Sequence, residues 1–526
     1  MSEQVLCLQR TMGLVKNFLT MNGLTLLSRF FGLIREILLL HFMGASVEMD
    51  AYTTAFKFPS FFRRFFAEGG FQSIFVPYYT DYISYSKFKG AKYFSSRIFT
   101  LIFWIMLFIS ITVFIFAKEF TIIMAPGFAS DPGKLALTAE FTRIIFPSIA
   151  FISLSTVYSG ILISRQKFFI FALAPIFVNI ILIGSLFFFQ DLTSAGRRYS
   201  YGTLVAGMFM FLYMFLCVKY QNFPSPRFST IRRSPKVKIF LKKMLPVLVG
   251  AGVAQINVLA GTFFASFLET GCITCLACAD RFVQLPLSLF GVTIGTILLS
   301  EIAGKVTKKQ ESDIKEIQNQ SFLFTMRLTL PSVIGFVAMS YLMTSLLYGH
   351  GKFDQHAIEL TSGILKVTAC GLPALVLSKI MSSILFAYKD TKTPVIAAVI
   401  SIIVNIILSI ALISPLGIIG IALSSAVAAY VNVYVMCRKT HGCFSITKTV
   451  LIDFLKIIIA SSLLLGVMLI IVGAQDGIQR TKIQEFSLML FSVITGVTLY
   501  VLTLYLLKDK VVMRMVCKIK SKCMNR

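Results

Sequence analysis

Apolar stretches of roughly 20 residues recur along this whole chain, the length a helix needs to cross about 30 Å of hydrocarbon at 1.5 Å per residue. Short alternating segments of the β-barrel kind are absent. The sequence therefore predicts an all-α polytopic membrane protein. Composition agrees: 56% of the 526 residues are hydrophobic and 14% charged, against about 25% charged in soluble proteins, and the mean hydropathy is +0.82. The first long apolar run, near 18–42, is interrupted by Arg29 and Arg35 and lacks a small-residue cleavage site. It is expected to be retained as a helix.

Reading apolar runs against charged or Gly/Pro-containing breaks gives about fourteen spans: 17–40, 51–83, 98–117, 137–163, 168–189, 200–218, 244–267, 273–301, 322–346, 359–386, 394–412, 417–436, 450–472 and 486–507. An even number puts both termini on one side, and the distribution of basic residues tests the assignment. About 32 of the 50 Lys and Arg fall in the N-terminus, every second loop and the C-terminal tail, against about 7 in the opposite loops. Both termini are assigned to the cytoplasm on that asymmetry. The net charge of +27 is thereby explained by topology, and nucleic acid is not an expected partner.

Val178-Asn179-Ile180-Ile181-Leu182 recurs as Val404-Asn405-Ile406-Ile407-Leu408, and Pro147 matches Pro373 at the same offset. That offset equals six spans, so the two copies have the same orientation. The expected organisation is two pseudo-symmetric six-helix lobes, 1–218 and 244–437, joined by a basic cytoplasmic linker, 219–243. Two further helices with a basic tail occupy 438–526.

Charges inside spans mark candidate sites, since each costs at least about 2.5 to 3.5 kcal/mol near the bilayer centre unless it faces water or a partner. Arg29 and Arg35 lie in the first span, Lys57, Arg63 and Arg64 in the second, and Arg281 early in the eighth. Asp50, Lys57, Arg64 and Glu68 fall on one helical stripe and can neutralise one another, which reads as structure or a gate. Arg63 is off that stripe and needs an anionic partner. Converging guanidinium groups suit phosphate, because the fork donates paired hydrogen bonds and stays charged when dehydrated. Arg281 follows Asp280, so a local ion pair is its alternative. Lys379 lies well inside its span with no acid nearby and is a further candidate. Arg143, Arg327, Lys366 and Lys456 are expected to snorkel to the membrane surface.

Cys272, Cys275 and Cys278 have suggestive spacing but no fourth ligand, and read as small packing residues. The four histidines show no zinc spacing, and no Walker loop, nucleophile elbow or HExxH occurs. No metal or cofactor is expected, and an ATP-driven pump or an intramembrane enzyme is disfavoured.

Ser28-Arg29-Phe30-Phe31-Gly32-Leu33-Ile34-Arg35, Gly44-Ala45, Asp50-Ala51 and the run from Ala55 to Gly69 resemble the N-terminal signature of the MurJ (MviN) lipid II flippases. Ala125-Pro126-Gly127-Phe128, Ala279-Asp280-Arg281, Gly295-Thr296-Ile297-Leu298-Leu299 and Lys392-Thr393-Pro394 resemble that family too. The resemblance covers spans one to twelve. It implies a member of the multidrug/oligosaccharidyl-lipid/polysaccharide exporter superfamily, with two lobes around a cationic cavity and a lipid-tail groove formed by helices thirteen and fourteen. Its implied substrate is undecaprenyl-pyrophosphate-linked disaccharide-peptide, moved by alternating access to the outer leaflet of the bacterial inner membrane for peptidoglycan synthesis. Arg29, Arg35, Arg63 and Arg281 match the family's cavity arginines, and Asp50 its functional acid. Membrane lipids, and peptidoglycan-synthesis or division proteins, are the implied partners.

Glu36 stands where many members have Asp. Span seven holds no acid between Lys243 and Glu269, so the sodium site described for some members is not evident. Membrane potential or a coupling ion is expected as the driver, its identity open. A drug/cation antiporter on the same fold would need acids for its cationic substrates, and a non-transporting scaffold would recruit partners through the basic loops. Flux in proteoliposomes separates the scaffold from either transporter.

Overall fold

The computed structural model describes residues 2–67, 70–188, 194–230, 235–307, 310–439, 447–473, 481–509 and 511–514. Every regular element among them is helical: α1 Ser2–Met43, α2 Val47–Ala67, α3 Gly70–Ile115, α4 Ala117–Met124, α5 Pro132–Ile145, α6 Pro147–Ser164, α7 Phe168–Phe188, α8 Ala195–Tyr220 and α9 Pro235–Ala265. Then follow α10 Cys272–Pro286, α11 Thr293–Thr307, α12 Glu311–Tyr348, α13 Gln355–Cys370, α14 Leu372–Ala387, α15 Lys392–Lys439, α16 Lys448–Gly473 and α17 Lys482–Leu506. A 3-10 turn covers Pro126–Ser130, and a π-helical stretch, Leu287–Val292, joins α10 to α11.

Among the described residues, nine helices are long and apolar enough to cross a bilayer, or ten with the bent pair α13 and α14 counted as one span. The sequence predicts about fourteen. α1 is kept off the count by Arg29, Arg35 and Glu36, and two continuous helices double back within themselves. In α15, Ser401 Oγ donates to the Ala428 carbonyl at 2.8 Å, although 27 residues of straight helix would separate them by about 40 Å. The reversal is at Gly417, whose φ of 55° and ψ of −133° lie outside the helix in a region that favours glycine. α15 therefore holds the expected spans 394–412 and 417–436. In α3 the rings of Phe75 and Phe94 stack at 5.7 Å, where a straight helix would place them about 28 Å apart, so its two arms are also antiparallel. The expected second span, 51–83, accordingly covers most of α2 and the first arm of α3.

Packing divides the chain into two compact units: Met1–Ile273 with Gly351–Phe353, and Thr274–His350 with Asp354–Arg526. This boundary lies beyond the basic linker 219–243, because α9 packs on α3. Phe240 of α9 meets Phe71, Tyr78 and Phe94 edge to face, a geometry aromatic quadrupoles favour. In the first unit α6 lies against α3 and α8, α1 against α7, and α2 against α5. The buried face of α6 carries Ser153, Ser155, Thr156, Ser159 and Gly160, small residues that let helix backbones approach without an apolar driving force between them.

The sequence repeat has a local structural counterpart. Pro147 opens α6 after α5, and Pro373 lies in the first turn of α14 after a 42° bend from α13. Proline fits there because its missing N–H would have no helical partner. The matching asparagines, Asn179 in α7 and Asn405 in α15, are both buried.

In the second unit α12 packs against α13, α16 and α17, while α14 packs against α11 and α15. The structure corrects the snorkelling expectation for Arg327. Its side chain is buried and donates from Nη2 at 2.7 Å and Nε at 3.1 Å to the fully buried Asp509. Removing one partner strands a buried charge, which costs about 3 to 5 kcal/mol. Asp509→Ala should therefore lower the thermal midpoint of the purified protein markedly, and adding Arg327→Met should recover part of the loss. A midpoint unchanged by Asp509→Ala would show the pair carries no stability.

Candidate functional site

The first unit holds two of the marked residues, Arg35 and Asp50, each in defined contacts of its own. Arg35 projects from α1 onto α7, where Nη1 donates to Asn179 Oδ1 at 2.9 Å. The Asn179 amide nitrogen in turn donates to the Ser28 carbonyl at 3.1 Å. Glu36 lies 3.6 Å from the Arg35 guanidinium. The asparagine of the repeated motif thus fixes the rotamer of a cavity candidate, a role its apolar surroundings gave no reason to expect.

Asp50, near the start of α2, is 1% exposed. Its Oδ2 accepts from Lys134 Nζ at 2.9 Å and from the Gly271 N–H at 2.8 Å. Lys134 is set in α5 by Asp131, which caps that helix by accepting from the Lys134 N–H at 3.0 Å. Its ammonium also lies 4.4 Å from the Phe128 ring, a favourable cation–π placement. Gly271 has φ of +95°, a conformation glycine tolerates, and this presents its N–H to the carboxylate just before α10 begins.

The Ala125-Pro126-Gly127-Phe128 motif belongs to the same assembly, since the Gly127 N–H donates to Ser266 Oγ at 3.0 Å. A cavity of about 480 Å³ beside it is lined by Phe128, Asp131, Lys134 and Ser266–Thr270 among others. Chemically, one buried carboxylate ties α2, α5 and the α9–α10 connection together. Lys134 was not foreseen. The only signal was a lysine on the side of the membrane assigned few of them.

The remaining candidates are placed separately. Arg29 is exposed on α1 and Lys57 half-buried on α2. The side chains of Arg63, Arg64 and Glu68 lie outside the described residues, so the stripe beyond Lys57 does too. In the second unit Arg281 is exposed on α10, and Lys379 is exposed on α14. The Lys379 stem lies against Gly291, where a Cβ would come within 3.5 Å of its Cγ. Gly291 belongs to the π-helical stretch, a distortion that is frequent at functional sites.

Cys272, Cys275 and Cys278 are buried, with Cys275 Sγ 3.7 Å from the Ala357 carbonyl. No group of three or more metal-ligating side chains occurs among the described residues. The Lys392-Thr393-Pro394 motif is a helix start: Asp390 accepts from the Lys392 and Thr393 N–H groups, both at 3.0 Å. The Thr393 hydroxyl and N–H hold the Asp390 carboxyl below its ordinary range.

The family model described as "Lipid II flippase MurJ" matches residues 39–492 of this chain. A "Probable lipid II flippase MurJ" of Rhizobium meliloti (strain 1021) is 38% identical over 80% of this chain and 79% of its own length. One of Rickettsia prowazekii (strain Madrid E) is 34% identical over 82% and 85%. The "Lipid II flippase MurJ" of Burkholderia cenocepacia is 30% identical over 87% and 90%. A solved structure described as "Lipid II flippase MurJ, inward closed conformation" superposes with a TM-score of 0.78 at 28% identity, covering 93% of this chain and 99% of that one. An inward-facing multidrug resistance MATE family transporter of the MOP superfamily gives 0.64 at 14% identity, covering 84% and 98%, a likeness of fold alone.

Proposed function

This chain belongs to the lipid II flippase MurJ family, a family of membrane transporters and not of enzymes, and we propose from that premise that it carries lipid II from the inner to the outer leaflet of the cytoplasmic membrane. The observation that carries the reading is the family match over 39–492, together with relatives of that name at 30 to 38% identity across 80 to 87% of this chain. A pyrophosphate with a large polar head cannot cross hydrocarbon unaided, because its charge must stay solvated or paired throughout. Arg29, Arg35, Arg63 and Arg281 supply that pairing in a cationic cavity, and alternating access of the two lobes exposes it to each side in turn.

The Asp50 contact to the Gly271 N–H serves as a latch in this scheme, since it can break while Lys134 still compensates the carboxylate. Lys57, Arg64 and Glu68 extend the charge network along α2, and Lys379 contributes to the cavity from α14. Membrane potential or a coupling ion supplies the driving force. Both termini face the cytoplasm, as the bias of Lys and Arg supports.

Depletion of the protein in its host should make lipid-linked precursor accumulate in the cytoplasmic leaflet, and the purified chain in proteoliposomes should move labelled lipid II between leaflets. Purified protein that is folded and inserted but moves no lipid II, under any imposed ion gradient or potential, would overturn the reading.

A further inference from the structure

A second cationic site lies in the first unit, away from the residues assigned above. The turn of α3 carries Phe88, Lys89 and Lys92, and the end of α8 carries Lys219. The extended segment that follows carries Arg227, and together they line a cavity of about 500 Å³. The segment is fixed in place: the Arg227 N–H donates to Ser96 Oγ at 2.9 Å and the Ser229 N–H to Thr100 Oγ1 at 3.1 Å. The pocket is therefore preformed.

At its edge Arg165, which ends α6, stands 5.1 Å from the Phe88 ring and 5.5 Å from the Phe223 ring. Its Nε and Nη2 are buried and make no hydrogen bond. No side chain of Lys89, Lys92, Lys219, Arg227 or Arg165 forms an ion pair with an acid among the described residues. Five cations around a formed cavity, one with unused donors held between aromatic rings, have the chemistry that suits an anion.

Position decides which anion. The second arm of α3, α7 and α8 are all apolar spans, and the pocket lies where α3 turns and α8 ends, the level of lipid headgroups. Phe88, Tyr220 and Phe228 around it are 57%, 85% and 63% exposed, as aromatic residues are at a membrane–water interface. An apolar cleft of about 410 Å³ between α7 and α8, lined by Ile170, Leu212, Leu216 and Tyr220 among others, continues from the same helix end. We infer that this pocket binds the phosphodiester headgroup of an anionic phospholipid, with acyl chain laid against the neighbouring aromatic and apolar surface. It is distinct from the transport site and is tested without transport, so its failure leaves the flippase reading untouched.

The test is titration of the detergent-purified full chain with short-chain phosphatidylglycerol and, separately, phosphatidylcholine and inorganic phosphate. The parent should prefer phosphatidylglycerol, and inorganic phosphate should compete weakly. Each cation near a membrane surface contributes about 1 kcal/mol, which is about fivefold in affinity. The pair Lys89→Gln/Lys92→Gln should thus weaken binding about 25-fold. Arg165→Lys, which keeps the charge and loses the planar fork, should also weaken it. Lys238→Gln/Lys242→Gln on α9, outside the pocket with the same change in charge, should leave binding as in the parent. Equal loss in that control would mean diffuse attraction and overturn the site. Equal affinity for both lipids, or saturation by inorganic phosphate with no further response to lipid, would overturn the headgroup assignment.

Discussion

Lys134→Met should destabilise the first unit by about 3 to 5 kcal/mol and abolish lipid II flipping, an effect as large as that of changing Asp50 itself. The Asp50 carboxylate is 1% exposed, and Lys134 Nζ at 2.9 Å is its cationic partner across the helix interface. With the lysine gone, the carboxylate is left in a dehydrated site without its ammonium partner. The strain falls on its contact to the Gly271 N–H, which holds the connection before α10. Asp50→Asn should lose stability to a similar extent, because the amide oxygen still accepts from the Gly271 N–H but the buried Lys134 ammonium is left without its carboxylate. In a double-mutant cycle the Asp50→Asn/Lys134→Met protein should regain stability relative to Lys134→Met alone, while flipping stays lost. Thermal unfolding and flipping measured on the same preparations decide this. Strictly additive losses in stability would show that the ion pair is not coupled.

The second large effect is expected at the arginines. Arg29→Ala, Arg35→Ala, Arg63→Ala and Arg281→Ala should each remove most flipping while the protein still inserts. A hydrogen bond to a charged group is worth about 1.5 to 3 kcal/mol, so each variant should bind lipid II roughly ten- to a hundredfold more weakly. Lysine replacements keep the charge but cannot donate the paired fork, and should fail at positions of bidentate contact. Arg64→Ala should behave differently, with a loss matched by Glu68→Ala and partly recovered by combining the two. Lipid II binding and flipping that survive all four alanine substitutions would refute the pyrophosphate clamp, whatever else the protein transports.

How legible these features were in the sequence depended on how local their causes are. Helix class, and the turn near Gly417, follow from apolar length and breaker residues, and these are contiguous. Asp50 stood out because a charge beside an apolar span needs a reason. Its partner did not, since Lys134 is brought to it only by the packing of α5 on α2. Arg327 misled for the same cause: a lone arginine in a span reads as a snorkelling end until α12 and the end of α17 are seen to bury it on Asp509. The first arm of α3 reads as one span with α2, because apolar residues recur on both sides of Gly69-Gly70. The placement of α9 in the first unit depends on Phe240 finding the rings of α3, which no charge or composition shift announces. Asn179 was visible as a mark of repetition, and its service to Arg35 was not.

The reversal at Gly417 also bears on how the protein is made. The two halves of α15 are joined by a turn without a lysine or arginine, and Ser401 bonds across to Ala428 once both are present. Such a pair enters the bilayer as a helical hairpin, its two crossings committed together during synthesis. Its turn gives the insertion machinery no charge to read, so orientation must come from Lys389 and Lys392 on one flank and Arg438 and Lys439 on the other. A basic residue inserted into the turn would act at biogenesis, by retaining that loop on the wrong side, before it had any chance to alter transport.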